Sequence, residues 1–226
     1  MKHTFYLFIL SLGLLSCHNQ TEKAVDHSAV LKTSDNKIKL RKLEKLWVTG
    51  DFDGDGNQDT LYQHNFSRLT KTEIDSSADP FENDWDSFSK WFYDQEANVY
   101  LKINKTEQET LNVGSAQGLY CLLNIGDNNA DKKDEIAFVI DYLDMSRVNS
   151  CVIYSLCKDK WTLLKQFGIH EDAFNFTSNE SPVFKSIKEY LENVNGQWVY
   201  KDNLQEGYDK PEDVEKMLPL KLDGCK

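Results

Sequence analysis

The stretch Gly50-Asp51-Phe52-Asp53-Gly54-Asp55-Gly56-Asn57-Gln58-Asp59 places carboxylates at positions 1, 3, 5 and 9, counted from Asp51, with two glycines among them. Acids packed this closely repel one another unless a cation lies between them. Hard oxygen ligands in this alternation suit Ca²⁺, which takes about six to eight oxygens in a flexible shell. The flanking runs Leu46-Trp47-Val48-Thr49 and Thr60 to His64 read as short strands, so the acidic stretch is a loop between two strands.

The same pattern returns 76 residues later as Gly126-Asp127-Asn128-Asn129-Ala130-Asp131-Lys132-Lys133-Asp134-Glu135. Gly50 matches Gly126, Asp51 matches Asp127, Asp53 matches Asn129, Asp55 matches Asp131 and Asp59 matches Glu135. A strand-like run precedes and follows this loop too, so one unit is used twice. Lys132 stands where the first loop has the turn residue Gly56, and Lys133 adds a second cation. The sequence therefore favours the first loop over the second as a metal site.

A helix-loop-helix calcium site needs an acid at loop position 12 and helices on both sides. Position 12 is Tyr62 in one loop and Phe138 in the other, and the flanks read as strands. The pattern instead resembles the Asp-x-Asp/Asn-x-Asp-Gly-x-x-Asp loops of FG-GAP and VCBS-type repeats, the calcium blades of integrin-like β-propellers. That resemblance implies Ca²⁺ ligands at positions 1, 3, 5 and 9 plus the carbonyl of position 7. These are Asp51, Asp53, Asp55, Asn57 and Asp59, and in the second loop Asp127, Asn129, Asp131, Lys133 and Glu135. The repeat spacing exceeds a usual blade and the chain is too short for an ordinary closed propeller. The fold expected is mainly β, with antiparallel strands and hairpins in partial-propeller-related units and one or two short helices.

The rest of the chain fits that class. Val99, Leu101 and Ile103 alternate with polar residues and lead into Thr110-Leu111-Asn112-Val113 as a hairpin. Leu119 to Leu123 precedes the second loop, and Ile136 to Ile140 after it is apolar enough to be buried on both faces. Ser150 to Leu156 and Trp161 to Phe167 form a hairpin across Lys158-Asp159-Lys160, and Gln197 to Tyr200 reads as a strand. Ser67 to Ala78 is polar and loop-like. Trp85, Phe88, Trp91, Phe92 and Tyr93 recur at helical spacing after Asp84, predicting an amphipathic helix near 84–94 whose rings pack on the sheet. A second short helix begins at Pro211 and stops at Pro219.

At the N-terminus, Met1-Lys2-His3 and an apolar run from Thr4 to Leu15 end in Leu14-Leu15-Ser16-Cys17, which resembles a bacterial lipobox. Residues 1–16 are then a lipoprotein signal peptide, Cys17 the lipidated residue, and 17–42 a flexible tether to one domain over 43–226. The membrane is a partner through that anchor, and the chain belongs to the bacterial cell envelope. Cys121, Cys151, Cys157 and Cys225 remain, compatible with two disulfides. Six residues of strand separate Cys151 from Cys157 by about 20 Å, too far to bond. Cys121 then pairs with one of those two and Cys225 with the other, unless all four are buried thiols.

With 37 acids against 26 bases, the net charge is −11, which argues against nucleic acid as a partner. Among the histidines, His64 and His170 stand alone, and no nucleophile elbow or phosphate loop is present. The sequence therefore points to an envelope lipoprotein with a Ca²⁺-stabilised β domain, binding an envelope protein or glycan or serving a structural role. The alternative is an envelope glycan-acting hydrolase, or its accessory subunit, with a structural metal.

Overall fold

A computed structural model describes residues 37–105, 110–170, 173, 187, 189–202 and 216–225. The signal peptide, Cys17 and the helix expected from Pro211 lie outside the described residues. In chain order the strands are β1 (Leu40–Lys42), β2 (Trp47–Gly50), β3 (Asp59–Ser67), β4 (Thr72–Glu73) and β5 (Ser76–Ala78). Helix α1 (Trp85–Asp94) follows, then β6 (Ala97–Ile103), β7 (Leu111–Gly114), β8 (Ala116–Gly126) and β9 (Glu135–Tyr142). The last are β10 (Val148–Cys157), β11 (Lys160–His170), β12 (Leu191–Val194), β13 (Gln197–Tyr200) and β14 (Leu218–Pro219).

Two successive antiparallel meanders carry the fold. One runs β2-β3-β6-β7, with β4 added beside β3, and the other runs β8-β9-β10-β11. In the first, buried and outward residues alternate along β3 and β6, as one-sided packing requires. Its inward Leu61, Val99, Leu101 and Ile103 meet Leu122, Ile136, Phe138 and Val152 of the second meander in one core. The other face of that meander packs Cys121, Val139, Ile153 and Phe167 against Leu191 and Tyr200 of the β12-β13-β14 sheet. Apolar layers on both faces explain why β9 is buried over seven of its eight residues.

The hairpin between β10 and β11 turns on Lys158 and Asp159, both at positive φ (50° and 65°), as a two-residue turn matched to strand twist requires. Helix α1 is capped by Asp84, whose carboxylate accepts from Ser87 N at 2.8 Å and Ser87 Oγ at 2.9 Å. It buries Phe88 and Phe92 against Ile74, Ala78 and Ala97, so the aromatic spacing is a packing face. Tyr93 remains exposed.

Three local expectations are corrected. Ser67–Ala78 is not all loop: it contains β4 and β5, which pair with β3 and β1. The stretch read as tether contributes β1, paired with β5. Such polar segments lack a strand period and are held by pairing with other strands, β4 with the adjacent β3 and β1 with β5 farther along the chain. Pro219 does not end a helix but lies in β14, opposite Val199.

Cys157 and Cys225 form a disulfide with their Cα atoms 5.3 Å apart, while Cys121 and Cys151 are buried free thiols. The second expected disulfide is absent because Cys121 and Cys151 both pair with Val139, one from each side. Two strand spacings separate them by about 9–10 Å, beyond disulfide reach. The bond formed closes a 68-residue separation. In the chain-entropy picture a loop of that length contributes about 4 kcal/mol.

Candidate metal centres

Both acidic loops are hairpin loops with the same register. Gly50 pairs with Asp59 across the first, and Gly126 with Glu135 across the second. Most of their internal hydrogen bonds correspond as well. Asp51 accepts from Gly54 N and Gly56 N, and Asp127 from Asp131 N and Lys132 N. Asp53 and Asn129 accept from the amide two residues on, as do Asp55 and Asp131. Gly54 and Gly56 have φ of 77° and 82°, and the matching Ala130 and Lys132 take 62° and 70°. The second loop thus adopts the glycine conformation without glycine.

In the first loop, carboxylate oxygens of Asp51, Asp53 and Asp59 converge within 4.8 Å of one another. A cation unforeseen in the sequence lies among these acids. Lys105 Nζ is 2.7 Å from Asp53, 3.0 Å from Asp55 and 2.8 Å from Asp59. Its contacts with the carboxylates of Asp53, Asp59 and Asp55 hold its ammonium well above the usual lysine pKa. Asp55 itself is held below the usual carboxylate range, first by Lys105 and then by the amide of Asn57. Asn57 is exposed and donates that amide to Asp55 at 2.8 Å. Asp59 is fully buried, and neither of its carboxylate oxygens has a hydrogen-bond partner among the described residues, the contact of Oδ1 with Lys105 being an ion pair.

In the second loop, Asp127, Asp131 and Glu135 converge within the same 4.8 Å. Glu135 is fully buried, its Oε2 accepting Asn128 N at 2.7 Å. Its Oε1 and Asp131 Oδ2 are without a hydrogen-bond partner among the described residues. Burial pushes the Glu135 carboxyl up to about 7, opposed by hydrogen bonds from the Asn128 amide and the Ser155 hydroxyl and reinforced by the charges of Asp131 and Asp127. Lys133 does not offset them through its ammonium, which donates instead to Leu156 O at 2.8 Å. Carboxylates that converge with bare oxygens and no ammonium suit a hard divalent cation.

The loops also touch. Asp134 N donates to Asp51 O at 2.9 Å, and Asp51 N donates to Asp134 Oδ2 at 3.1 Å. Asn124 Nδ2 bridges Thr49 O and Asp134 Oδ2. Gly50 is required by this approach, since a Cβ there would lie 2.5 Å from Asn124 Nδ2 and 2.7 Å from Asp134 Oδ2. Sequence spacing gives no sign that the loops meet.

Elsewhere, His64 is not alone. Its Nδ1 lies 2.8 Å from Glu73, its ring stacks on Tyr100 at 4.8 Å, and Lys45 Nζ is also 2.9 Å from Glu73. No helix of the described residues is long and apolar enough to cross a membrane. The chain matches no family profile, no curated protein and no solved structure.

Proposed function

We propose that the chain is a cell-envelope lipoprotein whose mainly β domain is held by Ca²⁺ at its second acidic loop and serves a binding or structural role. The observation that carries the metal reading is Glu135, fully buried, with an oxygen that has no hydrogen-bond partner among the described residues and faces Asp127 and Asp131. A buried carboxylate among like charges is costly unless a cation or proton offsets it. Asp127, Asp131 and Glu135 would hold the ion, with the Asn129 side chain and the Lys133 carbonyl as the remaining oxygens of the loop pattern. The ion supplies charge neutralisation and cross-links the ends of a hairpin. Kinship with FG-GAP and VCBS repeats is supported by two consecutive meanders carrying the same loop in the same register. Lipidation and envelope location rest on the lipobox ending at Cys17.

Thermal melts after chelation and in millimolar Ca²⁺ test the metal reading. Saturation at a hundredfold excess over Kd stabilises by about 2.7 kcal/mol, roughly 5–10 °C in a domain of this size. Glu135→Gln is expected to lose that shift. A wild-type melt unmoved by Ca²⁺ would remove the metal from the proposal. Fatty-acid incorporation that persists in Cys17→Ser would remove the anchor.

A further inference from the structure

The chain of the strand next to each acidic hairpin passes beside position 9 of its loop, and there the two units differ. In the first meander Leu61 pairs with Ile103, and Thr60 and Asn104 exchange hydrogen bonds beyond the ladder. That register sets residue 105 opposite Asp59. In the second meander Ile136 pairs with Tyr154, which sets residue 155 opposite Glu135. The equivalent positions are Lys105 and Ser155, one a cation and the other a neutral hydroxyl.

From this juxtaposition we infer that Lys105 is the resident cation of the first loop, its ammonium occupying the place between Asp53, Asp55 and Asp59 that a divalent ion would take. An ammonium carries three donors: it donates to Asp53 and Asp55 at 2.7 and 3.0 Å and forms an ion pair with Asp59 at 2.8 Å. Those carboxylates are positions 3, 5 and 9 of the loop, while position 1, Asp51, is engaged by Gly54 and Gly56. Asp59, fully buried with a bare Oδ2, is the group that most requires a positive neighbour. A tethered ammonium meets that requirement at any calcium concentration. A free ion must first displace it, moving Lys105 into solvent. Of the two loops, the second is therefore the one left to bind a divalent ion, a corollary that rests on the proposed function. The lysine's role in the first loop does not rest on it.

Calcium stoichiometry by calorimetry and equilibrium dialysis separates the two. Glu135→Gln with Lys105 intact is expected to bind no Ca²⁺, and Glu135→Gln/Lys105→Ser to bind about one ion per chain. Wild type is expected to bind about one and Lys105→Ser about two. Wild type binding none while Lys105→Ser binds one would refute the second-loop reading and uphold the lysine. An ion bound by Glu135→Gln and lost on adding Asp55→Ala would overturn the inference, and that pair decides it even if Lys105→Ser fails to fold. So would a folded Lys105→Ser chain that gains no ion over wild type.

Discussion

The two acidic loops share register and most of their internal hydrogen bonds, yet three of their differences set how each is held: Phe52 against Asn128, Gly56 against Lys132, and Lys105 against Ser155. The first loop is anchored by an aromatic ring, turns on glycine and is paired with a lysine from just beyond the end of the adjoining strand. The second is anchored by hydrogen bonds, turns on residues held at positive φ and leaves its buried acid without an ammonium. The shared backbone needs neither glycine nor one fixed partner. What it does need is charge matching for the acid at position 9, and each loop is equipped for a different source.

The anchors offer the largest test of this contrast. Phe52 is fully buried and packs near Trp161, with ring centroids 6.4 Å apart. Phe52→Ala should cost about 3–5 kcal/mol. Asn128 holds its loop through Nδ2 bonds to Ile125 O at 2.7 Å and Gly126 O at 2.9 Å. Asn128→Ala should cost about 1–3 kcal/mol. Chemical denaturation reads both, and equal losses would dissolve the distinction.

A buried acid outside the loops serves as a control. Burial pushes Asp141 up to about 7, opposed by a hydrogen bond from Tyr120 and the charge of Arg41 and reinforced by Asp144. A folded pKa above the unfolded 3.8 means the native state holds its proton more tightly. That contribution is fully present below pH 3.8 and is lost as pH rises to about 7. Between pH 5 and 8 the wild type should lose at most about 3 kcal/mol from this group. In Asp141→Asn that component should vanish from denaturation midpoints measured across pH. An unchanged slope would show that other groups dominate the pH response.

The smallest effect concerns the turn. Lys132 sits at φ 70°. Lys132→Gly should stabilise the chain by about 1 kcal/mol, raising Tm by roughly 2–4 °C. Gly56→Ala should do the reverse. If Lys132→Gly lowers Tm in chelator, the left-handed turn is favoured by contacts rather than borne as strain.

Much of the fold was legible in the sequence because it is local. Period-two alternation marked β3 and β6, the apolar run marked the doubly buried β9, and Asp84 with four aromatics marked α1. The strands β1, β4 and β5 escaped because they are polar and exist only through their partners. The exclusion of a Cys151–Cys157 bond followed from strand length, while the separation of Cys121 from Cys151 required knowing that β9 lies between them.

The loops divide in the same way. Aspartate spacing and turn residues follow from a few consecutive positions, so the sequence alone determined that two equivalent acidic hairpins exist and which side chains line them. Charge balance is set by groups brought near in space. Lys105 meets Asp53 across 52 residues, and Asp134 meets Asp51 across 83. Only the tertiary structure decided which loop carries an ammonium and which, among the described residues, has none, because Coulomb energy depends on distance through space, not along the chain.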